Sequence, residues 1–159
     1  MNGIKSEIKT EELRDAIKSA LSNLDLSGAL GIGLFGSLAC GKFTHKSDID
    51  IFVVVEKKTT DTDSFWSKKI REILNSFGRD VTVIVYSIKG LKDVNNWYVL
   101  RLASEGIIFY DQGNIKELFK KIIKAAKDAG LKEIKRGDSR VWSIDRPLKK
   151  GETFEVKVC

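Results

Sequence analysis

Apolar positions along the chain follow two different periods, and the change from one to the other marks out the elements. Leu13, Ala16, Ile17, Ala20, Leu21 and Leu24 recur at i, i+3, i+4 and i+7, the spacing that gathers side chains on one helix face. Thr10 stands where an N-cap belongs, and Glu11 and Glu12 suit the positive end of the helix dipole. A helix is therefore predicted from Thr10, broken at Gly28. Leu30 to Phe35 reads as a short strand, and Gly31 and Gly33 leave room for close approach to its backbone. Gly36 permits a tight turn. Ser37 to about Lys42 reads as a short helix, which would leave its first N–H groups free for an anion.

Asp48 to Val55 is the next strand. Its second half, Ile51 to Val55, is apolar on both faces, which predicts a central position in a sheet. A helix starting near Asp61 or Asp63 carries Trp66, Ile70, Ile73, Leu74 and Phe77 at helical spacing and stops at Gly78. The strand Asp80 to Ser87 follows, with Asp80, Thr82 and Ile84 on one face and Val81, Val83 and Val85 on the other. Strand, helix and strand in succession predict a parallel pair, with Asp80 beside the start of the Asp48 strand. A helix over Leu91 to Ser104, a strand over Ile107 to Tyr110 and an amphipathic helix from Ile115 complete the regular part. In that last helix Ile115, Leu118, Phe119, Ile122, Ile123 and Ala126 face inward, and Lys116, Lys120, Lys124 and Lys127 face out. After Gly130 the pattern weakens; Val141 to Ile144 and Thr153 to Val158 read as a strand pair joined through Arg146, Pro147, Lys150 and Gly151.

Length and composition narrow the class. At 159 residues and 42% hydrophobic the chain suffices for one domain with a core of its own. Its apolar runs fall short of the roughly 20 residues a membrane span requires, and its N-terminus is acidic where a signal peptide is apolar, so a soluble cytoplasmic protein is expected. The cysteines, Cys40 and Cys159, form neither a disulfide framework nor a zinc-ligand spacing. Cys40 reads as a packing residue and His45 as a surface residue. Residues 1–114 hold 15 Lys+Arg against 15 Asp+Glu, and residues 115–159 hold 13 against 7, so the whole net charge of +6 lies in the C-terminal part. The expected organisation is a catalytic unit over 1–114, with 115–159 adding a helix and a basic tail packed on the same domain.

The chemistry concentrates between Leu30 and Val55. Asp48 and Asp50 fall on one strand face with Cα atoms roughly 6.5 to 7 Å apart. Two carboxylates that close repel unless a cation lies between them, and a hard cation with oxygen ligands points to Mg²⁺. Asp80, placed alongside by the parallel pairing, would bring a third carboxylate.

Gly36-Ser37, then Asp48-Ile49-Asp50, then Asp80 opening a later strand, with Glu105-Gly-Ile-Ile-Phe-Tyr110 beyond, resembles the DNA polymerase β-type nucleotidyltransferase superfamily, in particular its minimal single-domain members. The resemblance spans roughly residues 10 to 112. It implies an α/β fold of the α+β kind, a small mixed sheet flanked by helices. It also implies Mg²⁺-dependent, two-metal transfer of a nucleoside monophosphate, AMP from ATP, to a hydroxyl of a macromolecular acceptor. Asp48 and Asp50 would hold both Mg²⁺ ions, Asp80 would complete the ion nearer the attacking hydroxyl, and Gly36 and Ser37 would contact the β and γ phosphates. Many minimal members carry arginines just after Gly-Ser; here Leu38 and Cys40 stand there, leaving Lys42 and Lys46 as the nearby cations. Minimal members often act with a helical partner of the HEPN type, sometimes as an antitoxin that adenylylates it.

Two other readings stay open. One is a catalytically dispensable antitoxin or binding module that masks a partner. The other is transfer to an RNA 3′ hydroxyl, with Trp142 and the cations Arg136, Arg140, Arg146, Lys149 and Lys150 holding the nucleic acid. The preferred account of the tail is plainer: Trp142 pins it to the domain and its charges are solvated.

Overall fold

A computed structural model describes residues 2–94, 97–137, 139–144, 150 and 156–158. The elements run α1 (Asn2–Ser22), β1 (Gly31–Phe35), α2 (Gly36–Cys40), β2 (Ile49–Val55), α3 (Thr62–Leu74), β3 (Val81–Ser87), α4 (Ile88–Lys92), β4 (Asp93–Val94), α5 (Trp97–Glu105), β5 (Ile107–Asp111), α6 (Ile115–Asp128), β6 (Leu131–Arg136), β7 (Ser139–Ile144) and β8 (Val156–Lys157). A single 3₁₀ turn, Asn75–Phe77, extends α3 to the left-handed Gly78.

Four strands form one mixed sheet in the order β3-β2-β1-β5. β2 and β3 are parallel, with Ile49 beside Val81 and Asp50 beside Thr82, as the strand-helix-strand rule requires. β1 is antiparallel to both β2 and β5. The apolar run Ile51 to Val55 does lie in a central strand, buried on both faces. Its odd-numbered side chains, Ile51 and Val53, join Ile17 and Leu21 of α1 and Trp66, Ile70 and Leu74 of α3 in one core. Phe52 and Val54 join Val99, Leu100 and Leu102 of α5 and Phe119 and Ile122 of α6 in a second core on the opposite face. The rings of Phe52 and Phe119 meet at 5.7 Å between centroids. Close approach fixes the glycines of β1: a Cβ on Gly31 would meet Ile115, and one on Gly33 would meet Phe52 and the Ile107 carbonyl. Among the described residues no helix is long and apolar enough to cross a membrane.

Three expectations are corrected. The first helix begins at Asn2, so Thr10 is an interior helical residue and not a cap; Ile4 to Lys9 contains no breaker to end the helix there. The segment expected as one helix over Leu91 to Ser104 is divided. Ser87 accepts a hydrogen bond from the Gly90 N–H at 2.9 Å and starts α4 early, after which Asp93 and Val94 pair with Lys157 and Val156. Finally, β7 pairs with β6 and not with the C-terminal strand, which pairs with β4. Residues 146–149 and 151–155, which include the expected turn, lie outside the described residues.

Candidate active site

Period-two alternation sends Asp50 to the same face as Phe52 and Val54, the face covered by α5 and α6, but at the end of β2 where that cover stops. Its carboxyl is half-buried. Burial raises its pKa above the ordinary 3.8, the neighbouring Asp48 carboxylate raises it further, and a hydrogen bond from the Thr82 hydroxyl opposes both. Thr82 is the register partner of Asp50 on β3. The main-chain path makes the same carboxyl crowd Gly36: the glycine has φ +70°, and a Cβ there would overlap Asp50 Oδ2 and lie 3.0 Å from its Cγ. Gly-Ser and Asp-x-Asp, separated in sequence, are thus in contact through one glycine and one carboxylate.

Asp48 is exposed just before β2. Asp80 is exposed on the neighbouring chain, where its carbonyl accepts from the Ile49 N–H at 2.8 Å. The backbone therefore sets Asp80 alongside the acidic pair. The three carboxylates do not form a compact cluster: among the described residues no three His, Cys, Asp or Glu side chains are grouped to hold one metal ion. The donor set does fit a hard divalent cation, since Asp48 and Asp50 supply oxygen ligands whose mutual repulsion a cation would relieve.

Ser37 is half-buried in α2, a helix of one turn with no side-chain cap at its start. Leu38 is wholly buried in the first core. That burial explains why the position after Ser37 carries a leucine: its side chain is aimed away from the acids. Arg14 of α1 closes the other end of α2, donating from Nε to the Leu38 carbonyl at 2.8 Å and from Nη2 to the Ala39 carbonyl at 3.2 Å. Cys40 is half-buried against the turn, and His45, Lys42 and Lys46 are exposed on the connection 41–48.

That connection is held by a residue that no motif or spacing singles out. Arg79 Nη1 donates to the Thr44 carbonyl at 3.0 Å and to the Ser47 carbonyl at 3.1 Å, and its guanidinium lies 4.4 Å from the centre of the Phe43 ring. Ser47 Oγ accepts from the Thr44 N–H at 2.9 Å, tightening the same turn. Arg79 immediately precedes Asp80, so one residue ties the lysine-bearing loop to the start of β3. Arg79→Ala is expected to cost about 1 to 3 kcal/mol through two hydrogen bonds and one cation–π contact. A lowered thermal midpoint should come with weaker nucleotide binding by titration. Arg79→Lys should restore little, because a lysine lacks the planar fork that bonds and stacks at once.

Two cavities differ in position. The larger, about 1000 Å³, lies between β5, α6 and the β6–β7 hairpin, away from the acids. A smaller one of about 350 Å³ reaches Gly36 and runs along the Asp50 face of the sheet, floored by Phe35, Ile84 and Tyr86 and walled by Tyr98, Arg101 and Glu105 of α5. Burial raises the Tyr86 phenol's pKa, keeping it protonated. Tyr98 is 74% exposed and Arg101 is paired only loosely, at 3.8 Å, with Glu105. This cavity is the part of the site sequence reasoning did not reach. Its α5 wall, Tyr98 to Glu105, lies about 50 residues beyond the Asp48–Asp50 pair.

No curated protein sequence matches the chain. Among solved structures, a toxin–antitoxin with AMP-PNP is similar with a TM-score of 0.51 at 19% identity, over 72% of this chain and 86% of that one. A mutant of the toxin–antitoxin MntA–HpeT gives 0.50 at 16% identity, over 72% and 86%. A tri-AMPylated Shewanella oneidensis HEPN toxin in complex with MNT antitoxin gives 0.48 at 15%, over 72% and 87%. At such identities the likeness speaks to the fold, a mixed sheet between helix layers. The nucleotidyltransferase domain family matches residues 11–128, from within α1 to the end of α6 and so across every element that builds the acidic site. By that match the chain belongs to the nucleotidyltransferase domain family.

Proposed function

We propose that the protein transfers AMP from ATP to a hydroxyl of a partner protein, using Asp48, Asp50 and Asp80 to hold two Mg²⁺ ions. The observation that carries this reading is the junction at Gly36, where the Asp50 carboxylate and the 350 Å³ cavity meet on one sheet face. Mg²⁺ bound there would neutralise charge developing on the phosphoryl oxygens and lower the pKa of the attacking hydroxyl. The protein's own part is orientation. Thr82 fixes one Asp50 oxygen, Gly36 and Ser37 present backbone to the β and γ phosphates, and the nucleoside lies against Tyr86 and Tyr98. Arg101 supplies a cation from α5 that the positions after Ser37 do not, with Lys42 and Lys46 on the facing loop. The acceptor oxygen forms a bond to the α phosphorus as the bond to the β-phosphate oxygen breaks, so pyrophosphate leaves and the hydroxyl proton passes to solvent.

The acceptor we favour is a HEPN-type helical protein, since the family resemblance pairs minimal members with such partners and the similar structures include toxin–antitoxin complexes. The RNA-acceptor reading is less favoured, because Trp142 is buried in the second core and offers no face to a base. Leu38's burial favours one alternative, a binding module that masks its partner without chemistry, since it withholds a cation from the triphosphate. Incubation with Mg²⁺, a HEPN-type partner and ATP labelled at either the α or the γ phosphate separates these. The expected result is partner labelled from the α position with release of pyrophosphate. Label from the γ position, or neutralisation of the partner with no label, would reject AMP transfer.

A further inference from the structure

The larger cavity is unused by the chemistry above, and its lining is specific. β5 is an edge strand of the sheet, and the register with β1 skips Phe109, leaving that residue outside the ladder. An edge strand presents unpaired backbone N–H and C=O groups to any extended chain laid beside it. Beyond that edge the groove is floored by half-buried Ile108, Phe109 and Ile123. Its rim is a row of exposed lysines on α6: Lys116, Lys120, Lys124 and Lys127.

Lys120 is paired with Glu117 at 3.3 Å, and two of the three acidic residues of the lining have partners of their own. Asp111 is engaged in capping α6, accepting from the Ile115 N–H at 2.8 Å and the Lys116 N–H at 3.0 Å. Glu133 is paired with Arg140 at 3.4 Å. Asp128 remains, at the far end of the helix. At the groove's inner wall Trp142 is only 9% exposed, and its Nε1–H is buried with no hydrogen-bond partner among the described residues.

We infer that this groove takes an extended segment of a partner protein, alternately acidic and apolar, added as a strand along β5. The acidic side chains would meet the α6 lysines, and the apolar ones would cover Ile108, Phe109 and Ile123. A single-stranded nucleic acid fits less well: Phe119 and Trp142 are buried, which leaves the half-buried Phe109 as the one ring of the lining open to stacking. The inference stands apart from the chemistry at Asp50, so either can fail without the other.

The test is a titration of the full chain with a fluorescent peptide of alternating glutamate and valine, at low and moderate salt. Binding that weakens with salt is expected. Lys120→Gln/Lys124→Gln, both at exposed positions, should weaken it by about tenfold. The same peptide methylated on alternate backbone nitrogens should lose binding, because strand addition needs those N–H groups. The proposal is overturned by absence of binding to wild type, by equal binding of the methylated peptide, or by indifference to the lysine substitutions. Displacement of the peptide by an oligouridylate at lower concentration than by unlabelled peptide would also overturn it, by assigning the groove to nucleic acid.

Discussion

Replacing Asp50 by asparagine is expected to lower AMP transfer on the order of a thousandfold while making the nucleotide-free protein more heat-stable. The first effect follows from removing a charged oxygen where the transition state's developing charge is to be offset; losing one such interaction costs 10² to 10³ or more. Release of pyrophosphate from ATP with acceptor present measures it. The second effect follows from the cost of keeping Asp50 ionised. Its carboxyl is half-buried and faces Asp48, and both raise its pKa above 3.8. Asparagine keeps the shape and can still accept from Thr82, but it carries no charge to desolvate or repel.

The pH dependence gives the sign. A carboxyl whose pKa is higher in the folded than in the unfolded chain binds its proton more tightly in the folded state, and so favours the fold in acid relative to neutral pH. That contribution is present below 3.8 and is lost as the pH rises through the folded-state pKa. Wild type and Asp50→Asn should therefore melt alike below 3.8 and diverge above it, with the variant higher at neutral pH. Added Mg²⁺ should raise the wild-type midpoint and leave the variant's nearly unchanged, because binding to the folded state alone stabilises it. A variant that melted lower than wild type at neutral pH would contradict the electrostatic account of Asp50.

Much of this geometry could be read from local pattern. The run Ile51 to Val55 announced a central strand, and period two put Asp50 on the face of Phe52 and Val54, with Asp48 just before the strand. The crossover rule set Asp80 beside Ile49, and the Asp80 carbonyl does bond the Ile49 N–H. What pattern could not supply was anything decided by partners distant in sequence. Arg14 closing α2 and Arg79 pinning 43–47 act through contacts 24 to 35 residues away, and Arg101 lines a cavity that also reaches Gly36. Nothing adjacent marks them as different from Arg136 or Arg140. β6 was hidden for another reason: Leu131 to Arg136 carries four charged residues in six, so its strand character comes from pairing with β7 and not from its own alternation. The division of the expected helix over Leu91 to Ser104 has the same origin, since β4 forms by pairing with β8.

Gly36→Ala should damage both fold and transfer, and Gly41→Ala is its control. Both glycines have positive φ, +70° and +83°, at the two ends of the same short helix, so alanine pays a similar left-handed penalty at each, roughly 1 to 2 kcal/mol. Their surroundings differ. Nothing lies within 4 Å of a Cβ on Gly41, whereas a Cβ on Gly36 would overlap Asp50 Oδ2 and press on its Cγ and Cβ at 3.0 and 3.3 Å. The carboxylate cannot simply swing away, because Thr82 holds it and Phe52 and Ile49 fix the strand on either side. Gly41→Ala is therefore expected to lower the thermal midpoint modestly and leave transfer close to wild type. Gly36→Ala should destabilise more and also reduce transfer by about a hundredfold or more, since displacing a positioned group by 1 Å costs on that order. Restoring stability with a distant stabilising substitution should not restore transfer to Gly36→Ala. If it did, the contact between Gly36 and Asp50 would be a folding constraint alone, and the junction between acid pair and cavity would lose its place in the reaction.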